Sequence, residues 1–148
     1  MKVGEMCSRG VVTALESASL RDVAVLMAER HVGAIVIVSK AGAQPVPVGI
    51  ITDRDIVRAQ LEHVADLSRL RVADVMTKPP LTLTEGEQLE DAIEILRARS
   101  LRRAPVVNAR GELVGFVSTD DLVAEVARQL GTLAGLLRRQ PERGGRYT

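Results

Sequence analysis

Two heptapeptides of this chain set a hydroxyl and a carboxylate at one spacing. GIITDRD occupies residues 49–55 and GFVSTDD residues 115–121, so Thr52 stands three positions before Asp55, and Ser118 three before Asp121. In each, apolar strand-forming residues run straight into the polar pair, which therefore opens a helix. Two kinds of chemistry use that arrangement. A Ser or Thr followed three residues later by an acid caps a helix reciprocally, each side chain bonding the other residue's amide. The same groups, with the free amides and dipole of a helix N-terminus, also suit a phosphate or a polyol. The two uses do not exclude each other. Gly49 and Gly115 lie inside otherwise apolar strands, where glycine weakens packing and marks close approach by another group.

The other reactive residues assemble no catalytic set. His31 and His63 each fall at a helix end, where an imidazole meets the C-terminal dipole. With one cysteine, Cys7, and two histidines far apart in sequence, no H-x-x-x-H or C-x-x-C spacing exists for a transition metal. The carboxylates Asp53/Asp55 and Asp120/Asp121 invite an acid–base reading, but each pair opens a helix, where acids are expected regardless. No nucleophile elbow, Walker loop or dinucleotide fingerprint is present. Arg138, Arg139, Arg143 and Arg146 make the C-terminus basic, yet Phe116 and Tyr147 are the whole aromatic complement and net charge is +1. A solvated tail, not a nucleic-acid contact, is expected there. Any flat ligand must be gripped by aliphatic side chains.

The elements that hold the two heptapeptides are themselves duplicated. Residues 3–38 lie over residues 72–107 without a gap, with identities at Val3/Val72, Thr13/Thr82, Glu16/Glu85, Leu20/Leu89, Asp22/Asp91, Arg30/Arg99 and Val38/Val107. Length variation is confined to a turn, SKAGAQPVP at 39–47 against NARGE at 108–112. Each unit reads as strand, helix, strand, strand, helix. In the first, residues 11–15 form a strand, Ser19 and Asp22 a capping box, and Leu20, Val23, Ala24 and Met27 the inner face of a helix. Residues 34–38 read as a strand covered on both faces, 46–51 as the third strand, and 53–62 as the second helix. The second unit repeats this with a strand at 81–84, a helix from Gln88 whose inner residues are Leu89, Ala92, Ile93 and Leu96, strands at 104–107 and 113–117, and a helix from 119 to about 130. Gly131 is expected to stop that helix, the chain to continue as a short amphipathic segment at 132–140, and 141–148 to be a mobile tail.

At 148 residues with 46% hydrophobic and 26% charged, the composition is that of an ordinary soluble globular protein. A half of about 65 residues would bury only about 60% of its surface alone, so the two halves are expected to share one core. The longest apolar run, 32–38, falls far short of the roughly 20 residues that span a bilayer. MKVGEMCSRG carries no apolar signal core and the lone cysteine fits a reducing compartment, so a cytoplasmic location is expected.

The ordered set of segments resembles a tandem of cystathionine-β-synthase (CBS) domains, the Bateman module, of the stand-alone prokaryotic type. The carriers are VGEM at 3–6 and VADVM at 72–76 at the unit starts, HVGAIVIV at 31–38 and LRRAPVV at 101–107 at the second strands, and both heptapeptides; together they cover residues 3–130. The resemblance implies an α/β (α+β) fold of two pseudo-symmetric βαββα units packed sheet to sheet. Unit one would span 1–66, unit two 67–131, and a C-terminal extension 132–148. It also implies two clefts for adenosine ligands. In each, the final Asp of the heptapeptide holds ribose hydroxyls, Thr or Ser meets ribose or phosphate, and the opposite repeat supplies the facing segments. Cleft one would join Ile50, Thr52 and Asp55 to Met76, Leu81, Leu101, Arg102 and Arg103. Cleft two would join Phe116, Ser118 and Asp121 to Cys7, Val12, Val32, Gly33 and Ala34.

The clefts are unequal. Arg102 and Arg103 suit forked bonds to phosphate oxygens, whereas cleft two has Gly33 and Ala34 at those positions and Asp120 beside its hydroxyl. Cleft one is therefore expected to take AMP, ADP or ATP, and cleft two to stay empty or take a less charged adenosine compound. S-adenosylmethionine and NAD(H) rank behind the simple nucleotides, and no cofactor is required. The implied role is a regulatory, non-enzymatic module that senses nucleotide for an unidentified protein. It would work as a homodimer joined through helix positions such as Ile56, Val57, Leu61, Leu122, Val123 and Val126, unless those are buried within the monomer. The alternative is a dimerisation or interaction module without a ligand, in which the boxes only cap helices.

Overall fold

A computed structural model describes residues 1–39, 42–63 and 66–138. Its elements follow the duplicated order, each unit being preceded by a one-turn helix that the periodicity did not predict. In unit one these are α1 (Val3–Met6), β1 (Thr13–Leu15), α2 (Leu20–Arg30), β2 (Ala34–Ser39), β3 (Val46–Thr52) and α3 (Asp53–His63). A single 3-10 turn at Leu67–Arg69 leads into unit two: α4 (Val72–Val75), β4 (Leu83–Thr84), α5 (Leu89–Ala98), β5 (Arg103–Val107), β6 (Leu113–Ser118) and α6 (Thr119–Arg138).

Local chemistry accounts for most of the boundaries. Ser19 and Asp22 form the reciprocal cap of α2, the Asp22 amide donating to Ser19 Oγ at 3.0 Å and the Ser19 amide to Asp22 Oδ2 at 3.2 Å. The helix ends at His31, which adopts a left-handed φ of 54° and donates its amide to the Met27 carbonyl. Its counterpart after α5, Ser100, repeats the left-handed turn with a φ of 53°, its amide donating to the Arg97 carbonyl. The 108–111 turn closes through the Gly111 amide on the Asn108 carbonyl, with Gly111 at φ 78°.

Each unit builds a three-stranded sheet with its second strand central, parallel to the first and antiparallel to the third. The β2–β3 register slips between Ile37 and Val38, and the β5–β6 register slips at the matching Val106–Val107 step. A bulge duplicated with the sequence is part of the fold's design.

Two expectations need correction. The halves do not share one core but build two clusters, and these are interlocked by exchange. Val3 and Cys7, from the start of unit one, pack with Leu83, Leu89, Leu96, Val106 and Val117 of unit two. Val72 and Met76, from the start of unit two, pack with Leu20, Val23, Ile35 and Ile51 of unit one. Each core is thus completed by the other unit's lead-in segment. Secondly, Gly131 does not stop a helix; the amphipathic continuation expected from 132 is part of the same helix. α6 continues through Gly131 and Gly135 to Arg138, and Gly111 alone among the described glycines takes the positive φ that a left-handed helix stop requires. Residues 139–148, including the expected tail, lie outside the described residues.

Candidate functional site

Both heptapeptides fold as reciprocal caps. The Asp55 amide donates to Thr52 Oγ1 at 3.2 Å, and the Thr52 amide to Asp55 Oδ2 at 2.9 Å. Ser118 and Asp121 reproduce the pair at the start of α6, with distances of 3.2 and 2.9 Å. Each carboxylate spends Oδ2 on the cap, and Oδ1 has no protein partner among the described residues. Capping therefore leaves half of each carboxylate available.

The glycines before the caps are explained by protein. A Cβ at Gly49 would overlap the Met76 thioether, and one at Gly115 would overlap Cys7 Sγ and come within 2.8 Å of the Ser8 carbonyl oxygen. Beside these notches the lead-in strands pair with the sheets. Ile50 and Thr77 exchange backbone bonds at 3.1 and 3.0 Å, and Ser8 and Phe116 do so at 2.9 Å each. The close approach that glycine signals is thus made by the exchanged segments.

A cleft of about 620 Å³ opens where the end of β3 and the start of α3 face the start of β5. Seven of the eight residues expected in cleft one line it: Ile50, Thr52, Asp55, Leu81, Leu101, Arg102 and Arg103. The eighth, Met76, is buried in the Gly49 notch and does not reach the cavity wall. Asp53, Arg54, Thr77, Ser100 and Pro105 complete the lining. The volume lies within the roughly 300–1,000 Å³ of small-molecule sites. Its wall combines an aliphatic side (Ile50, Leu81, Leu101, Pro105) with two carboxylates and three guanidiniums. The guanidiniums of Arg54, Arg102 and Arg103 make no ion pair or hydrogen bond among the described residues. The Arg102 backbone is fixed, its carbonyl accepting from the Thr119 amide at 2.7 Å and from Thr119 Oγ1 at 3.0 Å.

Arg54 is the residue that reading by type overlooked. It occupies the place in its heptapeptide that Asp120 holds in the other, so superposing the copies exposes the reversal of charge, though not its place in the cleft wall. Ser100 owes its place to the left-handed turn after α5, which no residue pattern announces.

The residues of cleft two are more dispersed. Cys7 lies in the Gly115 notch, Phe116 is half-buried on the Ser8 bridge, and Ser118 and Asp121 form their cap. Val12 and Val32 pack on the unit-one core, and Ala34 stands opposite Thr52 in the β2–β3 pairing. Gly33 is tight: a Cβ there would lie 3.3 Å from Asp53 Oδ2 and 3.7 Å from Arg103 Nη1. Arg103 thus reaches toward Gly33, and the strand end expected to lack positive charge has a guanidinium beside it. Among the described residues no group of three metal-ligating side chains occurs.

A family profile described as CBS domain matches residues 3–62 and 72–128, most of the chain and both repeats. The chain belongs to the CBS-domain family. A solved CBS domain protein of Pyrobaculum aerophilum, complexed with AMP, is 29% identical with a TM-score of 0.74, the match covering 86% of this chain and 99% of that one. An uncharacterised protein of Methanopyrus kandleri is 29% identical over 123 residues, 83% of this chain but 61% of that protein's length. An inosine-5'-monophosphate dehydrogenase of Mycobacterium tuberculosis is 35% identical over 122 residues, which are 82% of this chain and 21% of the enzyme. This CBS pair therefore spans only part of the length of curated relatives that it matches. Among its described residues, no helix is long and apolar enough to cross a membrane.

Proposed function

We propose that this CBS pair is a regulatory module that binds AMP, ADP or ATP in cleft one and, as a homodimer, passes that occupancy to a partner protein. The observation that carries the reading is the gathering of three unpaired guanidiniums and a half-spent carboxylate around one cavity of about 620 Å³. The AMP complex of the Pyrobaculum aerophilum relative supports the ligand class. In this reading the Asp55 carboxylate accepts from vicinal ribose hydroxyls, and Ile50, Leu81 and Leu101 flank the purine. Arg54, Arg102 and Arg103 take the phosphates through forked, charge-assisted bonds. Cleft two, with Asp120 in place of an arginine, takes no phosphate. Signalling to a partner requires that nucleotide favour one of two states of the module.

The test is calorimetric and thermal titration with AMP, ADP, ATP, S-adenosylmethionine and NAD(H). A ligand at 100 times its Kd stabilises by about 2.7 kcal/mol, and one nucleotide per chain is expected. Arg54→Ala and Arg102→Ala should each weaken ATP by roughly tenfold or more, since hydrogen bonds to charged groups contribute about 1.5–3 kcal/mol, and should weaken adenosine hardly at all. Unchanged ATP affinity in both variants would refute the cleft assignment. No stabilisation by any member of the panel would instead favour the ligand-free interaction module, in which Thr52, Asp55, Ser118 and Asp121 only cap helices.

A further inference from the structure

Cleft one carries a charge for which a phosphate has no use. Asp53 lines the cavity together with Arg54, Arg102 and Arg103, next in sequence to the cap hydroxyl of Thr52. The second unit has Thr119 in this place, and there both the amide and the hydroxyl of Thr119 bond the Arg102 carbonyl. Asp53 makes the equivalent joint with its amide alone, which donates to the Gly33 carbonyl at 3.0 Å. The joint therefore does not need the carboxylate. Oδ1 accepts from the Arg54 amide at 2.8 Å. Oδ2 lies over Gly33, where a Cβ would stand 3.3 Å from it and 3.7 Å from Arg103 Nη1. A carboxylate of unit one and a guanidinium of unit two thus converge on one point without forming an ion pair. Any side chain at residue 33 would crowd both, and the glycine keeps that space open.

Charge then decides what size does not. The cavity, about 620 Å³, is in the range for a nucleoside mono- or triphosphate alike. With Asp55 given to the ribose, the phosphate end holds three guanidiniums and one opposing carboxylate, a surplus of two positive charges. A phosphate monoester carries about −1.5 to −2 at neutral pH, which matches that surplus. Each further phosphoryl group adds negative charge that the surplus does not cover and that Asp53 repels. We propose that Asp53 is a specificity-determining residue of cleft one, setting it for a nucleoside monophosphate over the triphosphate by offsetting one of the three guanidiniums. This selectivity rests on the nucleotide reading of the cleft and adds a ranking to it, AMP ahead of ATP.

Asp53→Asn removes the charge at nearly constant shape. Asp53→Thr installs the residue that the second unit carries and serves if asparagine disturbs the start of α3. The measurement is calorimetric titration of the full chain and both variants with adenosine, AMP and ATP, first in EDTA and then in Mg²⁺. Asp53 is exposed, so solvent screens its charge and the changes are few-fold. In EDTA both variants should leave adenosine unchanged, tighten AMP by roughly twofold and tighten ATP by roughly five- to tenfold, the gain shrinking at about 0.5 M salt. An acid with only a structural role at a helix N-terminus would lower Tm on removal and tighten nothing. Equal changes for adenosine and ATP, or no gain for ATP, would overturn the role of Asp53. Weaker ATP binding by the variants in Mg²⁺ would also overturn it, by making Asp53 a ligand of the nucleotide's cation. A wild-type chain that binds ATP more tightly than AMP in EDTA would overturn the ranking while leaving the cleft assignment intact. A wild-type chain that binds none of the three would refute the cleft reading and the selectivity with it.

Discussion

At the scale of single residues, the proposed site gives Asp55 two tasks for one carboxylate. Oδ2 closes the cap with the Thr52 amide at 2.9 Å, and Oδ1, unpartnered among the described residues, is left for the proposed ligand. Asp121 closes an identical cap but does not line the cleft that holds the three arginines. Asparagine retains an oxygen for the amide but loses the charge, so Asp55→Asn and Asp121→Asn should cost similar stability, up to about 1 kcal/mol. Their ligand effects should part. Exchanging a charged for a neutral hydrogen bond forfeits about 1–1.5 kcal/mol, so Asp55→Asn should raise the nucleotide Kd by roughly tenfold and Asp121→Asn should leave it unchanged. Equal effects on nucleotide binding would mean that the second cleft takes the ligand as well. The cap was legible in the residues because it needs only three consecutive peptide units. The spare oxygen was not, because it depends on which strand faces the helix start.

Among the elements, the two glycine notches appear equivalent in sequence and differ in what fills them. Gly49 faces Met76, a flexible side chain that can shift. Gly115 faces Cys7 Sγ and also the Ser8 backbone carbonyl, which is held by its paired bonds to Phe116. Overpacking costs about 1–3 kcal/mol, depending on how far the neighbours yield. Gly115→Ala should therefore lie at the upper end of that range and Gly49→Ala at the lower. Urea unfolding of the two variants is the measurement, and a larger loss at Gly49 would contradict the packing described here. The helix α6 teaches a related lesson. Gly131 was read as a stop from its type, but a stop needs a left-handed φ, and here the backbone stays helical through it. The six dimerisation candidates on α3 and α6 also divide by structure. Ile56 and Leu122 are buried, while Val57, Leu61 and Val123 stay exposed, as does Val126.

For the whole molecule, the exchange of lead-in segments makes two repeats inseparable. Val3 is fully buried in the core of unit two, as Val72 is in that of unit one. A fragment of residues 67–138 lacks Val3 and Cys7 and leaves its own Val72 and Met76 without their core. Such a fragment, already below the size at which a single core is secure, should show no cooperative urea transition, whereas the full chain should unfold in one. A cooperatively folded fragment would show that the exchange is dispensable.

The family resemblance implied most of the residues that line one cleft; the sequence by itself determined the duplication, the strand and helix order and the four-residue caps. These follow from contacts within a few positions and from the pairing of one repeat with the other. Only the tertiary structure decided that the repeats trade their first helices, that Met76 and Cys7 fill glycine notches, that Arg103 reaches toward Gly33 and that Arg54 joins the cleft wall. Those facts depend on side chains from distant segments competing for the same space, and spacing along one chain does not encode which of them arrives.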